Sequence, residues 1–150
     1  MGNVYGHFLF LETAGIACLR ITLGVLLDQV DSVDNHTIVN NALDSTTPAF
    51  VFPDEYDDIV ALFDDANAAL DAAFEAHRRV QLFNDSSLAS EHPTQCCAGI
   101  GFGRVFAIGP NLAQGDEMNR SSKLGEDIAR ANETLITERA YEVVAGRDDV

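Results

Sequence analysis

Residues 96–144 read CCAGIGFGRVFAIGPNLAQGDEMNRSSKLGEDIARANETLITERAYEVV, and this run decides the fold. Its start, with Gln95, is a short apolar stretch over 95–102 that predicts a buried strand. Gly99, Gly101 and Gly103 alternate, so they share one face of that strand and leave it bare. A dinucleotide-binding loop would follow such glycines with a helix. Here RVFAI over 104–108 reads as a further strand. After a loop, Gly115 precedes a helix predicted over 116–131, with Asp116 as its cap. A strand over 133–137 and a helix over 138–145 complete the run. The tail, 146–150, is expected to be loose.

Upstream, FLFLE within 7–12 reads as a buried strand and Thr13-Ala14-Gly15 as a tight loop. A helix is predicted over 16–43. Leu23, Leu26, Leu27, Val30 and Val33 fall on one face, with Asp28, Asp31 and Asp34 opposite. Thr46-Thr47-Pro48 ends it. Residues 49–52 and 58–63 read as a hairpin joined by an acidic turn over 53–57. An amphipathic helix follows, capped by Asp64 or Asp65, with Ala66, Ala69, Leu70, Ala73, Phe74 and Val80 in one stripe. A polar loop over 84–94 leads back to the glycine strand. The order is β-α-β-β-α-β-β-α-β-α. This predicts an α+β fold, an α/β sandwich. Its ferredoxin-like βαββαβ core carries extra C-terminal elements, with helices covering the sheet.

The 150 residues fit a single domain, 1–150, and 47% hydrophobic content is ample for a core. Acidic residues outnumber basic ones 24 to 9, for a net charge of −15. Such a charge repels phosphate backbones and anionic membrane surfaces, so neither nucleic acid nor membrane is an expected partner. A phosphate-bearing ligand would need local help from a metal ion or backbone N–H groups. No stretch is long and apolar enough to span a bilayer, and no basic leader stands at Met1, so a cytoplasmic location is expected. The three cysteines cannot all pair. Cys96 and Cys97 are strand neighbours on opposite faces and read as fillers in a reducing compartment.

Several motifs together resemble the catalytic domain of class III nucleotidyl cyclases. Gly99-Ile100-Gly101-Phe102-Gly103-Arg104-Val105 is similar to that family's G-I-x-x-G-x-V strand. The run from Gly115 to Leu124 is similar to its G-x-x-V-N-x-A-x-R-L helix start. Phe10-Leu11-Glu12-Thr13-Ala14-Gly15-Ile16 is similar to F-x-D-x-x-G-F, and residues 57–63 to the G-D hairpin. The resemblance covers nearly the whole chain.

The resemblance implies two metal-binding carboxylates, at Glu12 and Asp57, for Mg²⁺ or Mn²⁺ if the domain is active and for no cofactor otherwise. It implies a transition-state pair at Asn119 and Lys123, four residues apart on one helix face. It implies nucleotide-binding positions at Thr13, Ala14, Gly15, Pro53 and Leu112. Four of these positions depart from the family. Glu12 replaces Asp, and Lys123 replaces an Arg whose fork suits phosphate. Pro53 and Leu112 stand where adenine-selecting members carry hydrogen-bonding side chains.

The expected function is therefore a cyclase-like domain with a degenerate active site, which dimerises and binds nucleotide or regulates, with little activity. Whether it is an enzyme stays open: an active but atypical metal-dependent cyclase making cAMP or cGMP is the first alternative. A ferredoxin-like protein-interaction module is the second. A homodimer is implied by the family, whose site is shared between protomers. A nucleoside triphosphate and a regulatory protein are the other candidate partners.

Overall fold

The computed structural model describes residues 2–5, 8–11, 16–24, 50–54, 58–85, 95–108 and 112–150. In chain order the strands begin with β1 (Gly2–Tyr5), β2 (Phe8–Leu11), β3 (Ile16–Gly24), β4 (Phe50–Asp54) and β5 (Asp58–Phe63). Helix α1 (Ala66–Asn84) is followed by β6 (Gln95–Gly103), β7 (Phe106–Ile108) and β8 (Leu112–Gln114). Helix α2 (Asp116–Lys123) continues as a π-helical turn, Leu124–Ile128. Strand β9 (Thr134–Ile136) and helix α3 (Glu138–Val144) close the chain.

Two sheets form. The larger has the order β4-β5-β3-β6-β9, antiparallel except for the parallel β6–β9 pair. Its first four strands have the order of a ferredoxin-like core, in which the first strand lies between the third and the fourth. The smaller sheet, β1-β2-β7-β8, is antiparallel throughout.

This corrects the expected first strand. The strand ending at Leu11 lies in the smaller sheet, and the centre of the larger sheet is Ile16–Gly24, where a helix was expected. The residues explain it. Ala17, Leu19 and Ile21 alternate and are all buried, a period of two rather than 3.6. The helical spacing of leucines and valines begins only at Leu23. The rest of the predicted helix, 25–43, lies outside the described residues.

One face of the larger sheet carries the core. Leu19 pairs with Ala61 and Ile100, and Ile21 with Ile59 and Ala98. These residues pack with Ala66, Ala69, Leu70, Ala73, Ala76 and Val80 of α1 and with Ala140 and Val144 of α3. Each fully buried Leu or Ile contributes roughly 1.5–3 kcal/mol. The alanines let α1 lie close to the sheet. Asp65 is the N-cap of α1, its carboxylate accepting from the Asn67 N–H at 3.0 Å.

Three smaller expectations are also revised. Pro53 and Asp54 belong to β4 rather than to the turn, and an edge strand tolerates Pro. Residues 112–114 form β8 instead of loop, because β7 gives them a partner. The tail is tied down: Arg147 donates to Asp71 Oδ1 at 2.6 Å, Asp149 Oδ2 at 2.7 Å and the Asn67 carbonyl at 3.3 Å.

The other face of the larger sheet is the glycine stripe, and α2 lies on it. A side chain at Gly99 would collide with the Ser121 carbonyl and come within 2.6 Å of the Gly125 nitrogen. One at Gly101 would collide with the Glu117 carbonyl, and one at Gly103 would meet Glu117 Cγ at 2.8 Å. The bare strand face thus receives a helix backbone at close range. Helix α2 is shorter than predicted and starts from Gly115, not Asp116, as N-cap. Asp116 and Glu117 fill the first turn instead, where negative charge suits the helix dipole.

Candidate functional site

Helix α2 presents the first candidate group. Its inner row is Glu117, Ser121 and Gly125, spaced by four and all buried against the glycine stripe. Met118 is buried beside them, and the Ser121 hydroxyl donates to the Met118 carbonyl at 2.8 Å. With that face held, Asn119 and Lys123 are both exposed, as is Arg120. Positions three and four apart are neighbours on a helix surface, so Lys123 adjoins both Asn119 and Arg120 there. Asn119 and Lys123 thus lie four residues apart on α2, both exposed.

Glu117 is the residue that sequence reasoning missed. It is 2% exposed, yet its carboxylate is well satisfied. Strand β9 ends at Ile136, paired with Ile100, and so stops two residues short of Phe102 on β6. The Phe102 N–H therefore donates to Glu117 Oε2, at 3.2 Å. Thr137, which leaves β9 to cap α3, donates its hydroxyl to the same oxygen at 2.6 Å and accepts from the Ala140 N–H at 3.2 Å. Arg120 Nη1 donates to Oε1 at 3.0 Å. A buried charge is tolerable when it is hydrogen-bonded and paired in this way. No local pattern marks Glu117, since an acid in the first turn of a helix is normally solvated there.

The second candidate group is the hairpin. Asp54 and Asp58 are register partners at its mouth, where β4 and β5 are joined by 55–57. Beside them, Thr22 of β3 pairs with Asp58. The central strand thus ends at the hairpin with Thr22, Leu23 and Gly24, and none of these is a carboxylate. Glu12, Thr13, Ala14, Gly15 and Asp57 lie outside the described residues. The strand leading to Glu12, β2, pairs with β1 and β7 and not with the hairpin. Among the described residues no group of three or more His, Cys, Asp or Glu side chains is placed to hold a metal ion.

The base-selecting candidates sit on two different sheets. Pro53 is on β4, in register with Ile59, and Leu112 is on β8, in register with Ile108. Elsewhere, His77 on α1 bonds Thr134 Oγ1 through Nε2 at 2.8 Å, and its Nδ1 is buried without a partner. Burial pushes its pKa below the usual histidine value. Burial, with Cys97 adding to it, pushes the Cys96 thiol up to about 12.

No protein-family model matches the sequence, and no curated protein matches it either. Solved structures do. A monomeric guanylyl cyclase domain from the aquatic fungus Blastocladiella emersonii superposes with a TM-score of 0.73 at 13% identity, over 89% of this chain and 86% of that one. An adenylate/guanylate cyclase/hydrolase from Silicibacter pomeroyi gives 0.73 at 18% identity, over 91% and 81%. An adenylate cyclase from Trypanosoma brucei, in its monomeric state, gives 0.70 at 13% identity, over 89% and 78%. This chain has the fold of the class III adenylate and guanylate cyclase catalytic domains.

Proposed function

We propose that the chain is a single nucleotidyl-cyclase-homology domain that dimerises and binds a nucleoside triphosphate, with little or no turnover. The observation that carries this reading is the contrast between its two candidate groups. Helix α2 is pressed onto a glycine stripe and holds Asn119 and Lys123 side by side and exposed. The strand end beside the hairpin offers Thr22, Leu23 and Gly24, without a carboxylate. Helix α2 thus offers an exposed pair, while Thr22, Leu23 and Gly24 add no carboxylate beside the hairpin.

In this reading Asn119 orients the ribose by hydrogen bonding, and Lys123 balances phosphate charge as a point cation. An exposed pair on one helix completes a site only when a second surface covers it, which favours a dimer. A similar guanylyl cyclase domain forms a non-canonical dimer, and a rhodopsin-guanylyl cyclase core was crystallised with ATPαS. A divalent cation, if it enters, would be held by Asp57 and its neighbours Asp54 and Asp58 together with the nucleotide's phosphates. It would supply charge neutralisation at those phosphates.

The test is thermal melting with ATP or GTP, each with Mg²⁺ or Mn²⁺, beside product detection by mass spectrometry. A ligand at a hundredfold over its Kd stabilises by about 2.7 kcal/mol, which melting resolves. The reading expects a shift that Asn119→Ala removes and little cyclic product. Vigorous product formation that needs Asn119 would establish a working cyclase instead. No shift with either nucleotide would leave the interaction module.

A further inference from the structure

We propose that Arg120 supplies the forked guanidinium contact to the ligand's phosphates that Lys123 cannot make, and that buried Glu117 aims it. This rests on the nucleotide-binding reading above. Arg120 is three residues before Lys123, which is four after Asn119, so Lys123 adjoins both on the surface of α2. Its side chain is 66% exposed, and among the described residues its Nη1 donates to Glu117 Oε1 at 3.0 Å. Most of its N–H donors thus stay available to an outside acceptor.

The anchor is what separates Arg120 from an ordinary surface arginine. Glu117 is 97% buried at its side chain and is held by the Phe102 N–H and the Thr137 hydroxyl. Neither donor belongs to α2, so the carboxylate has one position relative to the sheet. A guanidinium tied to a fixed carboxylate loses less entropy on binding a second anion than a free one. The planar fork matches phosphate oxygens in pairs, which a lysine ammonium does not. Of the nine basic residues, Arg120 and Lys123 are the two on α2, and both are exposed.

The competing role for Arg120 is to neutralise Glu117 and nothing more. Three variants separate the two. Arg120→Gln removes the cation from an exposed position. Arg120→Lys keeps the charge and removes the fork. Glu117→Gln keeps an oxygen for Phe102 and Thr137 but turns an amide toward Arg120, so the arginine is released. Affinity is measured by calorimetry at high protein concentration for four probes: ATP and GTP with Mn²⁺, pyrophosphate with Mn²⁺, and the nucleosides alone. Melting curves report folding in parallel.

The expected result is a roughly tenfold to hundredfold loss of triphosphate and pyrophosphate affinity in Arg120→Gln, the scale of a lost charged hydrogen bond. Arg120→Lys should recover only part of it, Glu117→Gln should fall between, and nucleoside affinity should not move. If Asn119→Ala weakens triphosphate binding and Arg120→Gln does not, the role of Arg120 is overturned while the nucleotide reading stands. A lower melting temperature with unchanged affinity gives the neutralising role and also overturns it. Equal losses for triphosphate and nucleoside would refute a phosphate contact. A wild-type protein that binds neither triphosphate nor pyrophosphate sinks both ideas together.

Discussion

Replacing Gly101 by Ala puts the packing of α2 on the glycine stripe to a direct test. The new methyl would collide with the Glu117 carbonyl oxygen and stand 3.0 Å from its carbon and 3.3 Å from Glu117 Cβ. Ordinary carbon contacts begin near 3.5 Å, and the obstacle is helix backbone, which cannot rotate aside. The helix is held on that side by buried Met118 and Ser121 and by three hydrogen bonds to the Glu117 carboxylate. Overpacking of this kind costs about 1–3 kcal/mol, and backbone against backbone belongs at the upper end. Loss of glycine's freedom in the unfolded chain returns roughly 0.4–1 kcal/mol. The net loss is about 2 kcal/mol, or a fall in Tm of about 4–8 °C for a chain of this size. Calorimetry and urea titration would read it, with Gly146→Ala as control, because nothing lies within 4 Å of a Cβ there. If Gly101→Ala melts with the control, within about 1 °C, the close approach of α2 is wrong. The whole account of how Asn119, Arg120 and Lys123 are presented would then fall with it.

Three other outcomes are expected. Thr137→Val removes the hydroxyl that donates to Glu117 and caps α3, at 2.6 and 3.2 Å, and should cost about 1–3 kcal/mol by urea titration. A cost under about 0.5 kcal/mol would mean that the buried carboxylate does not depend on it. His77 has a folded pKa below its unfolded 6.5, so the unfolded state binds the extra proton. Stability should therefore fall as pH drops through 6.5 and below, and Tm measured from pH 7.5 to 5.5 should flatten in His77→Gln. A wild-type slope that survives in His77→Gln would assign the loss to other groups. Cys96 is buried and its thiol is pushed up to about 12, so in the native protein it should resist alkylation at pH 8 and react only after denaturation. Rapid native labelling of Cys96, located by peptide mapping, would contradict that burial.

Much of the C-terminal half was legible in the sequence because its signals are local. Alternating glycines, an alanine stripe and a Thr before a short amphipathic helix each state their own element. The N-terminal half misled for a physical reason. FLFLE and IACLRITLG are both apolar and short, and periodicity alone does not say which of them takes the centre of a sheet. That choice depends on partners distant in sequence: β3 needs both β5 and β6, while β2 needs β1 and β7. The adjacent leucines from Leu23 onward then extended a helical pattern backward over the strand. Glu117 escaped for a related reason. An acid in the first turn of a helix is normally solvated there, and its burial follows from where β9 stops, which no local pattern reports.

The misplaced strand bears on the chemistry. A carboxylate at position 12 is reached from β2, whose pairing runs Phe8 to Ile108 and Leu9 to Ala107 in the smaller sheet. The hairpin acids instead stand beside the end of β3, where Thr22 faces Asp58. Glu12 and Asp57 themselves lie outside the described residues. Catalysis by two metals tolerates little displacement of its ligands, since about 1 Å can cost a hundredfold in rate. Binding tolerates far more, because one or two carboxylates with the ligand's own phosphates hold a cation well. The reading proposed above, of a domain that holds a nucleotide with little turnover, makes the lesser of these two demands. The apolar substitutions Pro53 and Leu112 point the same way, since a domain that only holds a triphosphate by its phosphates has little need to read the base.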